Sequence, residues 1–326
     1  MSFRLLRKCS LQILAKTIVF LCVFQERKAE AATQDLSVGS HFVELRDIRL
    51  HFVVAGQGPY VFVISPGWGL GSIYLQSGLA PLERHFTLIF MDERGNGESS
   101  RPNDSMMMST ATMANDLEHV RQALGLETIN LLGHSQGGEI ALDYAERYPD
   151  RVGKLALIDP EVMDDRAGEK TRAMLAALKD DSQYKTAVDA VFHAPSLVDN
   201  DSFSATMNSI LPLYFSDPQR QVPVFKTTLT GTHLSAFAQN ARHPADLKEP
   251  RKQSEEYGRV HADTLIVNGD LDWYCPIEVA RRMKNGIANS ALIEYQGVGH
   301  FPWIEEPKRF FSDIEKFFRP AMVTHE

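Results

Sequence analysis

Thr128-Ile129-Asn130-Leu131-Leu132-Gly133-His134-Ser135-Gln136-Gly137-Gly138 is the stretch on which the fold turns. An apolar run ends at a glycine, and a serine follows two positions later. Two more glycines then open a helical pattern in which Ile140, Tyr144 and Ala145 share a face. A G-x-S-x-G segment carries chemistry only in the context strand, sharp turn, helix, and that context is present. The turn lifts the hydroxyl out of the sheet edge, small neighbours let the chain pass, and the helix N-terminus favours developing negative charge. The plainer reading is a glycine-rich turn with an incidental serine.

Outward from this point, short β-rich runs alternate with helical patterns. Strands are expected at 41–46, 49–55, 60–65, 87–91, 128–132, 154–158, 264–268 and 292–295. The first two, parted by Asp47-Ile48, read as an antiparallel hairpin. Later runs such as VFVIS and TLIVNG are continuously apolar, as expected of parallel strands buried on both faces. Met113, Leu117, Val120 and Leu124 mark one helix face, and Phe310, Ile314, Phe317 and Phe318 mark another near the end. The pattern predicts an α/β fold with a mostly parallel eight-stranded sheet and helices on both faces. Residues 160–259 break the rhythm, with helical segments such as 170–179 and few strand-like runs. They are too many for a plain loop. The expectation is a helical lid inserted into a core made of 32–159 and 260–326.

The chain has 326 residues and a formal net charge of -8, which disfavours a nucleic-acid partner. Its length permits a large core without disulfides or a structural metal. Residues 1–31 hold six Lys/Arg and two acids, whereas the rest holds 28 basic and 40 acidic residues. A basic start, an apolar stretch from Leu11 to Phe24 interrupted by Lys16, and Ala29-Glu30-Ala31 before Ala32 form a signal-like pattern. The expectation is a signal peptide, with an anchor, an organelle presequence or a plain extension as alternatives. Fourteen apolar-rich residues are short for a membrane span. Cys9 and Cys22 lie in that segment, so only Cys275 would remain after cleavage, and no internal disulfide is expected. No zinc motif, Rossmann fingerprint or P-loop is visible, so no cofactor or metal is expected. Met106-Met107-Met108 reads as loop and core filler or a flexible pocket wall.

A serine hydroxyl is a weak nucleophile without an adjacent base. Gly299-His300-Phe301-Pro302 follows the last expected strand, which puts His300 at the C-terminal edge of the sheet, where such sheets place their chemistry. A third group must orient the imidazole. The strand at 264–268 runs into Gly269-Asp270-Leu271-Asp272-Trp273, so Asp270 and Asp272 both qualify on position, and Asp159 after LALID is a further acid. An acyl-transfer oxyanion needs two donors. The backbone N–H of Gln136, after the serine, is one. The loop Pro66-Gly67-Trp68-Gly69 offers the other, through Trp68.

These residues resemble the α/β-hydrolase superfamily from about His41 to Phe318, in its serine-nucleophile branch. The likeness includes Asp92-Glu93-Arg94-Gly95-Asn96-Gly97-Glu98-Ser99, similar to that superfamily's D-x-R-G-x-G-x-S turn. It also includes Gly269-x-x-Asp272-x-x-x-Pro276 and Gly297-x-Gly299-His300-x-Pro302-x-x-Glu305-x-Pro307. The resemblance implies a Ser135, Asp272, His300 triad, with Asp272 chosen over Asp270 by that spacing. It implies that Asp92 and Arg94 brace the oxyanion loop. Epoxide hydrolases and haloalkane dehalogenases share the layout but use an aspartate where Ser135 stands.

Within the serine branch the resemblance is to esterase-like and proline iminopeptidase-like members. Iminopeptidases usually carry H-G-G-P-G at the oxyanion loop and Trp after the serine, where this chain has Pro66-Gly67-Trp68-Gly69 and Gln136. The leading expectation is a hydrolase acting on an ester, thioester or similar acyl bond of a small molecule. An exopeptidase would recruit lid acids such as Asp164, Asp165 and Glu169 to hold a free amino terminus. A non-enzymatic small-molecule receptor on the same fold is the third reading.

Overall fold

The computed structural model describes residues 36–319, apart from 68, 163, 166, 194, 249 and 250. The signal-like segment 1–31 and Trp68 therefore lie outside the described residues. No described helix is long and apolar enough to cross a membrane.

Eight strands make one sheet: β1 (Gly39–Glu44), β2 (Arg49–Gly56), β3 (Tyr60–Ile64), β4 (Thr87–Asp92), β5 (Ile129–His134), β6 (Val152–Ile158), β7 (Asp263–Gly269) and β8 (Ser290–Tyr295). Their spatial order is β1-β2-β4-β3-β5-β6-β7-β8. The β1–β2 and β2–β4 pairs are antiparallel and the other five are parallel. The first strand starts and stops two residues earlier than the sequence pattern places it. Leu45 N–H donates to Ile48 O at 2.8 Å, so Leu45 and Arg46 belong to the hairpin turn rather than to the ladder.

The inner strands are apolar throughout because both faces are covered. Phe62, Ile64, Leu131, Leu155 and Leu157 point to one side, and Val61, Val63, Leu132, Ala156 and Ile158 to the other. The first side is covered by Met113, Leu117 and Val120 of helix Thr110–Ala123, and by Ile140 and Tyr144 of helix Gln136–Arg147. The second is covered by helix Ile73–Leu79 and by Phe310, Ile314 and Phe318 of helix Pro307–Phe318. Phe317, expected on the same face as these three, is only half-buried and packs at its margin.

Between β6 and β7 the described chain holds five α-helices, Gly168–Leu178, Lys185–His193, Asn200–Ile210, Pro218–Thr228 and Ala236–Asp246. Three of them start at side-chain caps: Asp199 forms a capping box with Ser202, Asp217 accepts from Arg220 N–H, and Ser235 from Ala238 N–H. This segment is bonded to the C-terminal rim of the sheet. Ser235 N–H donates to Gly69 O at 2.9 Å, His300 N–H to Tyr214 O at 2.9 Å, and Thr110 N–H to the Asp246 carboxylate at 2.7 Å. The methionine run divides: Met108 is buried in the core, while Met106 and Met107 are exposed.

Candidate active site

Ser135 lies between β5 and helix Gln136–Arg147 with φ 56° and ψ -124°, a left-handed conformation costly for a residue with a Cβ. Such a conformation costs about 1–3 kcal/mol and persists only where the surroundings over-determine it. The glycines on either side do that. A Cβ at Gly133 would fall 2.3 Å from Gly137 O, and one at Gly137 would fall 2.1 Å from Ile64 O. The turn is thus as tight as the sequence pattern requires. It is pinned further by Ser135 N–H donating to Ile158 O at 2.9 Å.

His300 reaches the same rim from the loop after β8. Its Nδ1 lies 2.6 Å from the Asp272 carboxylate, whose other oxygen accepts the N–H groups of Tyr274 (2.9 Å) and Cys275 (3.0 Å). Both side chains are buried. Because the carboxylate only accepts, Nδ1 carries the proton and Nε2 is the basic nitrogen. Asp270, two residues earlier, turns away and accepts Gly297 N–H at 2.7 Å, bracing the loop before His300. Asp159 is wholly buried, with φ 43°, and accepts Gly269 N–H at 2.8 Å. Burial, and then the neighbouring Asp272 carboxylate, push its pKa well above the usual carboxylate range. Of the three acids raised by the sequence, only Asp272 is hydrogen-bonded to His300.

Ser135 Oγ and His300 Nε2 are both buried and neither has a hydrogen-bond partner, so they are not bonded to each other in this structure. Gln136 begins the helix, where a backbone N–H has no intrahelical acceptor. Its side chain is also fully buried, with both amide atoms unpartnered, close against Gly67 of the expected oxyanion loop. That loop is braced from the turn after β4. Gly69 N–H donates to Asn96 Oδ1 at 2.6 Å and Ser72 N–H to Asp92 at 2.7 Å. Arg94 makes a two-pronged bond to Asp116, both contacts 2.6 Å. Its contacts are structural ones.

Three features were not read from the sequence. His134, the variable residue of G-x-S-x-G, is hydrogen-bonded at both ring nitrogens. Glu305 accepts Gly299 N–H at 2.8 Å and both the N–H (3.0 Å) and hydroxyl (2.5 Å) of Ser216, joining the His300 loop to the helical segment. Glu305 stood in the quoted C-terminal motif, but its partner lies 89 residues away. Arg242 is buried among Glu139, Glu161 and Asp246, one cation amid three carboxylates.

Among the described residues, the His/Cys/Asp/Glu group compact enough to hold a metal ion is Asp272, Cys275 and His300, with ligand atoms within 4.8 Å of one another. The fit is poor. Both Asp272 oxygens already accept hydrogen bonds, and an ion there would displace the Nδ1 proton that orients the imidazole.

Residues 60–307 match the profile of a family described as the alpha/beta hydrolase fold. The chain belongs to that family. It is similar to a 2-hydroxy-6-oxononadienedioate/2-hydroxy-6-oxononatrienedioate hydrolase of Pseudomonas putida, 26% identical over 291 residues that span 83% of this chain and 93% of that one. It is also similar to the proline iminopeptidase PfmaB of Pestalotiopsis fici, 24% identical over 290 residues, 84% of this chain and 99% of the other. Among solved structures, an esterase from Exiguobacterium antarcticum superposes with a TM-score of 0.66 at 23% identity, covering 86% of this chain and 99% of its own.

Proposed function

We propose that this hydrolytic enzyme is a serine hydrolase that cleaves an ester, thioester or related acyl bond of a small molecule through an acyl-enzyme. The observation that carries the reading is the pairing of His300 Nδ1 with Asp272 on the same sheet rim as the strained Ser135 turn. In this reading Ser135 Oγ attacks the acyl carbon while His300 Nε2 takes its proton. Asp272 stays ionised and stabilises the imidazolium without being protonated itself. The N–H of Gln136 and of Trp68 receive the oxyanion. His300 then protonates the leaving group, and its neutral form activates the water that releases the acid.

Ser135 and Asp272 have no exposed surface and His300 is 1% exposed, so substrate entry requires movement. The helices of 160–259 are the lid in this reading. They touch the site through Tyr214, whose ring centroid lies 5.1 Å from that of His300, and through Ser235 on Gly69. An open surface groove of about 730 Å³, lined by Arg101, Asn200, Ser235 and Phe237, lies on the helical segment, and none of Ser135, Gln136, Asp272 and His300 lines it.

The exopeptidase reading draws on the likeness to an iminopeptidase. It is the weaker one, because Asp164 is bonded to Ser254, Asp165 pairs with Arg282 and Glu169 is exposed. Turnover of p-nitrophenyl acyl esters against proline nitroanilide separates the two. Ester hydrolysis abolished by Ser135→Ala is expected; anilide cleavage with negligible ester turnover would reverse the ranking.

A further inference from the structure

We propose that His134 is a positioning residue whose ring links the turn carrying Ser135 to the backbone of His300 and thereby sets the gap between nucleophile and base. The inference rests on the reading of Ser135 and His300 given above.

Two hydrogen bonds fix the state of the ring. His134 Nε2 lies 2.9 Å from the backbone oxygen of His300, and a carbonyl only accepts, so Nε2 carries the proton. Nδ1 is then the acceptor, and the Tyr74 hydroxyl, 2.8 Å away, donates to it. Burial, and then the nearby His300 ring, push the His134 pKa well below the usual imidazole range. Both nitrogens are engaged, so this second histidine beside the nucleophile is no competing base. Its ring centroid is 4.6 Å from that of His300, and a charge on it would oppose the imidazolium that forms during turnover.

The linkage matters because the two loops come from distant strands. β5 ends in His134, and His300 follows β8, with β6 and β7 lying between them in the sheet. The His300 backbone N–H is held by Tyr214, on the helical segment, whereas its carbonyl is held by His134. Lid movement therefore shifts one hold on His300, and the bond from His134 keeps the base in register with Ser135. Trp303 and Phe301 pack against the His134 ring at centroid distances of 4.7 and 5.3 Å and prevent it from turning away.

The test compares His134→Phe, which keeps a ring of similar size without a donor, with His134→Gln, whose amide nitrogen can occupy the Nε2 position. His134→Asn, too short to reach His300 O, makes the same comparison against Gln if the Phe variant fails to fold. With p-nitrophenyl butyrate, the Phe and Asn variants should lose about tenfold or more in kcat at nearly unchanged KM, since misplacement of a reacting group costs rate rather than binding. Gln should recover most of that loss. Adding Tyr74→Phe to His134→Phe should restore part of the thermal stability, by removing the unpaired hydroxyl while the His300 carbonyl stays unpaired, but not kcat. Wild-type kcat in the Phe variant, or equal losses in Gln and Asn, would overturn the proposal. Failure of a fluorophosphonate to label Ser135 in wild type would instead overturn the reading on which it rests.

Discussion

Replacing Asp272 with Asn should disable the enzyme while leaving the fold intact. The Asp272 oxygen that accepts Tyr274 N–H at 2.9 Å and Cys275 N–H at 3.0 Å needs an acceptor, so the Asn side chain will keep its oxygen there. Its NH2 group then faces His300 Nδ1, which sits 2.6 Å from the present carboxylate. Two donors cannot share that contact, and the imidazole moves its proton to Nε2. A protonated Nε2 cannot accept the Ser135 proton. The same tautomer fault in the serine-protease triad lowers kcat about 10⁴-fold, or about 5.5 kcal/mol at roughly 1.4 kcal/mol per factor of ten. The Asn oxygen still receives both loop amides, so the thermal midpoint should move little. The assay is steady-state hydrolysis of a p-nitrophenyl ester, with Asp270→Asn as control because an Asn oxygen there can still accept Gly297 N–H. A loss below about tenfold for Asp272→Asn, or an equal loss for both variants, would mean that Asp272 does not set the His300 tautomer.

Two further predictions concern stability. Arg94→Met leaves Asp116 buried without its two-pronged partner, and thermal unfolding should show a loss of about 3–5 kcal/mol that Arg94→Lys does not repair. Glu146 is pushed up to about 9 by burial and by the neighbouring Asp143 and Glu256, against the pull of Arg251. The folded chain thus binds a proton that the unfolded chain releases near pH 4.5, so this group's contribution to stability falls as pH rises from there to about 9. Glu146→Gln removes that loss and keeps an acceptor for Arg251. Denaturant melts across pH 5–9 should show the variant gaining on wild type as pH rises, by at most about 1.4 kcal/mol per pH unit; a gain toward low pH would contradict the assignment.

The sheet was legible because its strands obey local rules. Runs such as VFVIS and TLIVNG are apolar enough to need cover on both faces, and the glycines around Ser135 leave the chain no other course than a tight turn. Hairpin ends were harder, since the closing bond from Leu45 to Ile48 leaves no trace in hydrophobic pattern. Position on the strand could not separate Asp270 from Asp272. Family spacing did, and in the fold the amides of Tyr274 and Cys275 curl back onto the second acid and Gly297 takes the first. The holds on His300 were invisible in sequence because each joins distant segments: His134 is 166 residues away and Tyr214 belongs to another element. The residues proposed to carry the chemistry sit where sequence rules reach. The residues that space them depend on packing across the sheet, which those rules do not describe.

In the proposed mechanism Ser135 is a nucleophile made competent by His300. Intact-mass and peptide mapping after exposure to a fluorophosphonate decide whether it is. A single adduct on the peptide containing Ser135, absent in Ser135→Ala and much slower to form in His300→Ala, is the predicted result. An unmodified Ser135 in folded wild-type protein, or equal labelling of wild type and Ser135→Ala, would contradict it.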